Sequence, residues 1–182
     1  MASDFLGAGK YGSIVVEKSL HSHADYISSR LRQIHLEECH IQKAVPWRIL
    51  HEMVAEEEGE CFTLIHEDEP MGITGHAPAI LNEYKEACIG VVWYVGTDTI
   101  DKCPHSFYKL SHKVVNYFSK AYDFVTNEVP AHHEETLHWL ASIGCLIADK
   151  PHVTNGTKML NFIHCQNLSS NVIPVFEKPD IS

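Results

Sequence analysis

The chain has 182 residues, of which 45% are hydrophobic and 21% charged, and carries a formal net charge of −10. That length suits one domain with a real core and leaves little for a second. The acidic balance, without clustered Lys and Arg, excludes a broad nucleic-acid surface. No apolar run of about eighteen residues and no signal-peptide centre in MASDFLGAGK are found, which predicts a protein kept in a cytoplasm.

Residues 1–13 hold three glycines and few large apolar groups and are expected to lie loosely on the surface or against a partner. Ile14, Val15 and Val16 predict a first strand. From Asp25 the period changes, and Ile27, Leu31 and Ile34 fall on one helical face. Pro46 suits a first helical turn, with Trp47, Leu50 and Val54 at helical spacing behind it. That helix ends in the solvated run Glu56-Glu57-Glu58-Gly59. Glu60 to His66 and Met71 to His76 predict a hairpin, turning through Glu67-Asp68-Glu69-Pro70.

The organising stretch is Ala87 to Asp98, ACIGVVWYVGTD. A strand from Ala87 to Val95 that is apolar on both faces belongs in a sheet with helices on both sides. Pro104 opens the next helix, with Phe107, Leu110, Val114 and Phe118 as its stripe. Phe124 to Val129 alternates as a short strand that Pro130 ends. Glu134 and Glu135 suit a first helical turn, Leu137, Leu140 and Ile143 face inward, and Gly144 is the cap. Cys145 to Ala148 and Met159 to Cys165 predict strands across a loop with the turn signal Asn155-Gly156. From Gln166 the chain reads as an extended tail whose Val172, Ile173, Val175 and Phe176 are expected to dock on this chain or on a neighbour. The domain is thus expected over 14–165, between a flexible segment 1–13 and a tail 166–182.

Six cysteines (Cys39, Cys61, Cys88, Cys103, Cys145, Cys165) form no CxxC pair and read as reduced thiols, mostly in the core. Among fourteen histidines, His21/His23, His35/Cys39/His40 and His132/His133 match no standard metal spacing, so no metal is expected. Trp93, Tyr94 and Trp139 are read as core residues and not as a stacking platform, and Cys145 as a buried thiol without a His–acid partner.

The order strand, two helices, three-strand meander, helix, strand, helix, two strands resembles the GNAT acyltransferase superfamily over roughly residues 14 to 165. The motifs Trp93-Tyr94-Val95-Gly96-Thr97-Asp98, Asn127-Glu128-Val129 and His138-Trp139-Leu140-Ala141-Ser142-Ile143-Gly144 are most similar to a GNAT-like family of short-tailed bacteriophages. Ser29-Arg30-Leu31-Arg32 to Glu38 is similar to that family's opening helix. The resemblance implies an α/β (α+β) fold: a mixed, mostly antiparallel sheet of six to seven strands with about four helices.

It also implies where a coenzyme would lie. The pantetheine arm of acetyl-coenzyme A would meet Tyr94, Val95 and Gly96, and the pyrophosphate would meet the turn from Thr97 to Ser106, with Lys102 as a positive group and Asn127 beside them. This chain departs from the pattern twice. The turn has no glycine and carries Asp98 and Asp101, which repel a pyrophosphate. Leu140 stands where many members have a tyrosine that protonates the leaving thiolate, and His133-Glu134-Glu135-Thr136 replaces an N-x-x-A pattern. The weak candidates for a base are His76, Glu83, Glu86 and His133.

On these departures the sequence favours a bacteriophage virion-associated protein, internal or structural, that uses the fold as a non-catalytic or vestigially catalytic module. No cofactor is then expected. Its partners would be other virion proteins or itself, and its location the virion or the host cytoplasm during assembly. The alternative is an acetyl-CoA-dependent N-acetyltransferase acting on an amine of a host protein or small molecule.

Overall fold

The computed structural model describes residues 9–56, 59–79 and 88–166. Nine strands and five α-helices are found among them. Strands β1 (Gly9–Tyr11) and β2 (Ile14–Lys18) precede helices α1 (His21–Ser28), α2 (Gln33–Ile41) and α3 (Pro46–Ala55). Next come the meander β3 (Glu60–His66), β4 (Glu69–Pro78) and β5 (Ile89–Gly96), a 3-10 turn (Asp98–Lys102) and α4 (Pro104–Phe118). Then follow β6 (Phe124–Pro130), α5 (Glu134–Ser142), β7 (Leu146–Ile147), β8 (His152–Thr154) and β9 (Thr157–His164). One sheet runs β1-β2-β3-β4-β5-β6-β9-β7, with β8 also on β9. Only β5 and β6 pair in parallel; all other neighbours are antiparallel.

Two cores cover the two faces. Phe107, Leu110, Val114 and Phe118 of α4, with Leu140 and Ile143 at α5, pack on Val92, Val125, Val129 and Phe162. Ala24 and Ile27 of α1 and Leu50 of α3 pack on Ile73 and Val95 from the other side. This is the two-sided cover that the apolar run in β5 predicts. Tyr94 and Trp139 join the first core, and Cys145 is buried in it.

The end of α5 is set by a hydrogen-bonded cap. Gly144, at φ +94, lets the Cys145 N–H reach the Leu140 carbonyl at 3.0 Å while its own N–H bonds Ala141 at 3.1 Å.

The sequence reading differs from the structure at five places. Gly9–Tyr11, expected to be loose, is an edge strand paired with Tyr11↔Ile14 and Gly9↔Val16 at its ends. The helix expected from Asp25 through Ile34 is two helices, because the Arg32 N–H bonds the Gly96 carbonyl at 3.0 Å and Leu31 bridges Thr97. An extended link must reach the end of β5 there, and the helical period cannot run through it. Pro70 lies within β4, since the turn is made by Glu67 and Asp68 alone, both at positive φ (50 and 65). Asn155-Gly156 turns β8 into β9, so the strand before that turn is not the one at Leu146. The nine strands and five helices exceed the expected count by these short pieces. The tail beyond Gln166 lies outside the described residues, as do residues 1–8 of the N-terminal segment.

Candidate active site

Strands β5 and β6 pair only at Ile89↔Phe124, Gly90↔Val125 and Val91↔Thr126. Beyond that, β5 stays with β4 as far as Gly96↔Gly72, and β6 stays with β9 as far as Pro130↔Met159. The two strands therefore part from Val92 and Asn127 onward. Asn127 spans the first step of the gap: its Nδ2 donates to the Val92 carbonyl at 2.8 Å, and its Oδ1 accepts from the Glu128 N–H at 2.8 Å.

Strand alternation says which backbone groups face the gap. The Thr97 N–H bonds Met71 of β4, so Val95 and Trp93 also turn their amides toward β4. Val92, Tyr94 and Gly96 turn theirs the other way. Asn127 takes the Val92 carbonyl and Arg32 takes the Gly96 carbonyl. Tyr94 is left with both its N–H and its C=O directed into the opening. Of the three residues proposed for the pantetheine arm, Val95 instead lends its side chain to the α1–α3 core.

The Tyr94 ring fixes this end of the strand. It packs on Phe107 at 4.9 Å between centroids and lies so close to Gly72 and Gly96 that a Cβ there would sit 2.6 and 2.2 Å from its atoms. Its hydroxyl donates to the Met71 carbonyl at 3.4 Å, and burial holds the phenol well above its ordinary range.

The opening belongs to a cavity of about 1020 Å³ that passes through the sheet. On the α4–α5 side its wall includes Phe107, Tyr108, Ser111, Trp139 and Leu140. On the α2 side it includes Arg32, His35, Glu38, Gln42 and Glu128. Each carboxylate there is tethered. Glu38 meets His35 Nδ1 at 3.1 Å, and Glu128 meets His152 Nε2 at 2.6 Å and accepts from Gln42 at 2.8 Å. Tyr108 donates its hydroxyl to the Ser142 carbonyl at 3.1 Å, which sets a phenol against the end of α5.

The turn after β5 is less hostile to anions than its sequence implies. Arg32 reaches Asp98 at 3.5 Å and Asp101 at 3.2 Å, so one guanidinium serves both carboxylates. Thr97 is buried; its Oγ1 donates to Met71 at 3.3 Å and accepts from the Thr99 N–H at 3.3 Å. Lys102 is occupied by Glu69 at 3.1 Å, and that pairing raises the lysine's pKa and lowers the glutamate's. At the start of α4, Pro104 has no N–H and Phe107 already bonds Cys103, so the amides of His105 and Ser106 are the first-turn donors without a helical partner. The Ser106 hydroxyl accepts from Ser13 at 3.2 Å.

Of the four residues considered as a base, His76 and His133 are described, and neither lines this cavity. His76 is buried against Phe118, with Tyr122 Oη at 2.9 Å and Glu60 at 3.3 Å. Burial lowers its pKa against the opposing pull of Glu60. His133 caps α5 outside the cavity wall, with Glu37 at 3.2 Å. Glu83 and Glu86 lie outside the described residues. Arg32 and Glu38 reach the opening through the break after α1, which the helical period of Ile27, Leu31 and Ile34 conceals, and Glu128 and Tyr108 reach it by long-range packing that no local pattern signals.

No protein-family model matches the chain, and no curated protein matches it. Solved structures do. AAC(6')-Ib in complex with ribostamycin and coenzyme A superposes with a TM-score of 0.63 at 11% identity, over 88% of this chain and 99% of that one. A ribosomal-protein-alanine N-acetyltransferase from Brucella melitensis gives 0.61 at 7%, over 82% and 98%. Spermidine N-acetyltransferase from Vibrio cholerae, in complex with coenzyme A and spermine, gives 0.61 at 8%, over 85% and 96%. At such identities the likeness is one of architecture, and it shows that this chain has a GNAT-like α/β fold.

Proposed function

We propose that this chain is an acetyl-CoA-dependent N-acetyltransferase. The observation that carries the reading is the parting of β5 from β6 after Val91, with both backbone groups of Tyr94 turned into the gap. An extended amide chain needs such an unpaired donor and acceptor on a strand. The arm would continue β5 as a strand partner on the side that β6 has left. The pyrophosphate would meet the His105 and Ser106 amides at the start of α4, where orphan donors favour anions. Coenzyme A in the named complexes of two structural neighbours supports this cofactor over the absence favoured from sequence.

The acceptor would enter from the α2 side. The amine nitrogen attacks the thioester carbonyl, the N–C bond forms and the C–S bond breaks, and the thiolate takes a proton. Glu38 and Glu128, each backed by an imidazole, are the wall carboxylates suited to receive the amine's proton. Tyr108 is the wall phenol suited to supply one, on α4 instead of at Leu140 of α5.

Calorimetry with coenzyme A and acetyl-CoA tests the reading first, and mass detection of acetylated product over a panel of polyamines, aminoglycosides and peptide N-termini tests it second. Saturable coenzyme binding in the micromolar range, about −8 kcal/mol, is expected. No binding at millimolar coenzyme would end it. The virion-associated role rests on the sequence motifs and is favoured by one observation, the buried apolar Leu140 in the place of a tyrosine. Mass spectrometry of purified particles containing this chain would decide it.

A further inference from the structure

The break after α1 has a second consequence, on the far side of α2 from His35. Glu37 on that helix comes up against the His132-His133 pair that precedes α5. Its Oε1 lies 2.8 Å from His132 Nε2 and its Oε2 3.2 Å from His133 Nε2. The three ligand atoms all fall within 4.8 Å of one another. Two imidazole nitrogens and a carboxylate oxygen around a tetrahedral zinc-class ion stand about 3.3 Å apart, so only a small closing movement separates the cluster from that arrangement.

The state of His133 supplies an independent reason. Its side chain is only 7% exposed, and its Nδ1 has no hydrogen-bond partner. The Glu38 carboxylate lies 3.8 Å from it, which is outside bonding range. If a neutral His133 donates from Nε2 to Glu37, its Nδ1 lone pair faces another carboxylate, which is repulsive. If Nε2 instead binds a cation, the ring proton moves to Nδ1 and points at Glu38. That is the carboxylate–histidine–metal pattern by which a ligating ring is usually oriented. Glu38 is in turn held by His35 at 3.1 Å. A pocket of about 350 Å³, walled by Ile34, Glu134, Glu135 and Thr136, opens beside the cluster and leaves room for a fourth, exogenous ligand.

We infer that Glu37, His132 and His133 bind a divalent zinc-class ion, with Glu38 as the outer partner of His133. The ion clips α2 to the corner between β6 and α5. Hard oxygen-seeking ions are disfavoured, because two of the three ligands are imidazoles.

The test uses the full-length chain stripped with chelator, titrated with zinc chloride by calorimetry and with cobalt(II) chloride by visible absorption. One ion per chain and the strong visible bands of tetrahedral cobalt are expected. His132→Gln, at an exposed ligand that does not endanger folding, should weaken binding at least a hundredfold, and Glu37→Gln likewise. Glu38→Gln should keep the stoichiometry and lose about 10- to 100-fold in affinity. His21→Gln with His51→Gln, at the stacked pair on α1 and α3, should change nothing. Circular dichroism confirms that each variant is folded. No saturable binding overturns the inference. Binding that survives His132→Gln, or that disappears with the His21–His51 control, overturns it in favour of adventitious histidine sites.

Discussion

The Asn127 carboxamide donates to the Val92 carbonyl at 2.8 Å and so makes, with a side chain, the rung that the parted backbones of β5 and β6 no longer make. Without it, a half-buried carbonyl at the root of the opening loses its partner. Asn127→Ala is therefore expected to cost about 1–3 kcal/mol, the usual penalty for leaving such a group unsatisfied. Urea denaturation reads it. A loss below about 0.5 kcal/mol would mean that water or a shift of β6 replaces the amide.

Tyr94 and Gly72 are coupled by contact. A Cβ at position 72 would stand 2.6 to 2.8 Å from two ring carbons and the hydroxyl oxygen of Tyr94. Gly72→Ala should destabilise by roughly 1–3 kcal/mol through overpacking. Tyr94→Leu, which removes those atoms, should make the same glycine change nearly neutral. The double-mutant cycle measures this directly, and additive costs would show that the strain lies in the β4 backbone.

Two buried histidines give acid sensitivity above the carboxylate range. His76 and His164 both have pKa values lowered from 6.5, with burial the leading cause. The Ser119 hydroxyl gives its proton to Val115 at 2.7 Å and receives one from His164 Nδ1 at 2.7 Å, which fits a neutral ring. A lowered folded pKa means that the unfolded chain binds more protons as pH falls below 6.5, so stability rises with pH through this window and is lost toward acid. The urea midpoint should drop between about pH 7.5 and 5.5. The drop should be smaller in His164→Gln. An unchanged slope in that variant would assign the loss to other groups.

The thiols should divide by burial. Burial pushes the Cys145 thiol up to about 12 and the Cys61 thiol up to about 11, and both react as thiolates only. Among the described residues Cys88 is the exposed one. A disulfide reagent on the native chain should show one fast thiol that Cys88→Ser removes, with Cys145 silent until unfolding. Fast labelling of Cys145 would mean that α5 opens readily.

The sheet was largely legible because its signals are local. The two-faced apolar run of β5, the stripe on α4 and Gly144 after α5 each act through near neighbours. Gly96 and Asn127 fall where β5 and β6 part for the same local reason, since both lie on strands whose order the pattern predicts. What escaped depends on long-range approach. Nothing in the spacing of Arg32 and Asp98, or of Glu37 and His132, says that they meet; the Arg32–Gly96 backbone bond determines it. Hence the aspartates of the turn read as bare negative charge, and the paired histidines as surface or core residues without a metal spacing.

That correction has its own test, which rests on coenzyme binding. Asp98 and Asp101 share Arg32, and both carboxylates are well exposed, with side chains 81% and 64% accessible. Exposed ion pairs contribute little to folding, so Arg32→Gln should change stability by no more than about 1 kcal/mol, provided that its backbone bond to Gly96 survives. An anionic ligand at the start of α4 would feel the change more strongly, because one positive charge goes and two negative charges lose their partner. Coenzyme affinity should fall about tenfold at low salt, and by less as salt screens the turn. Adding Asp98→Asn and Asp101→Asn to Arg32→Gln should restore most of that loss. If the single variant binds coenzyme as well as the parent, the pyrophosphate does not approach this turn. If the triple variant fails to recover while the chain stays folded, Arg32 itself touches the ligand, and its role is direct contact and not the masking of two aspartates.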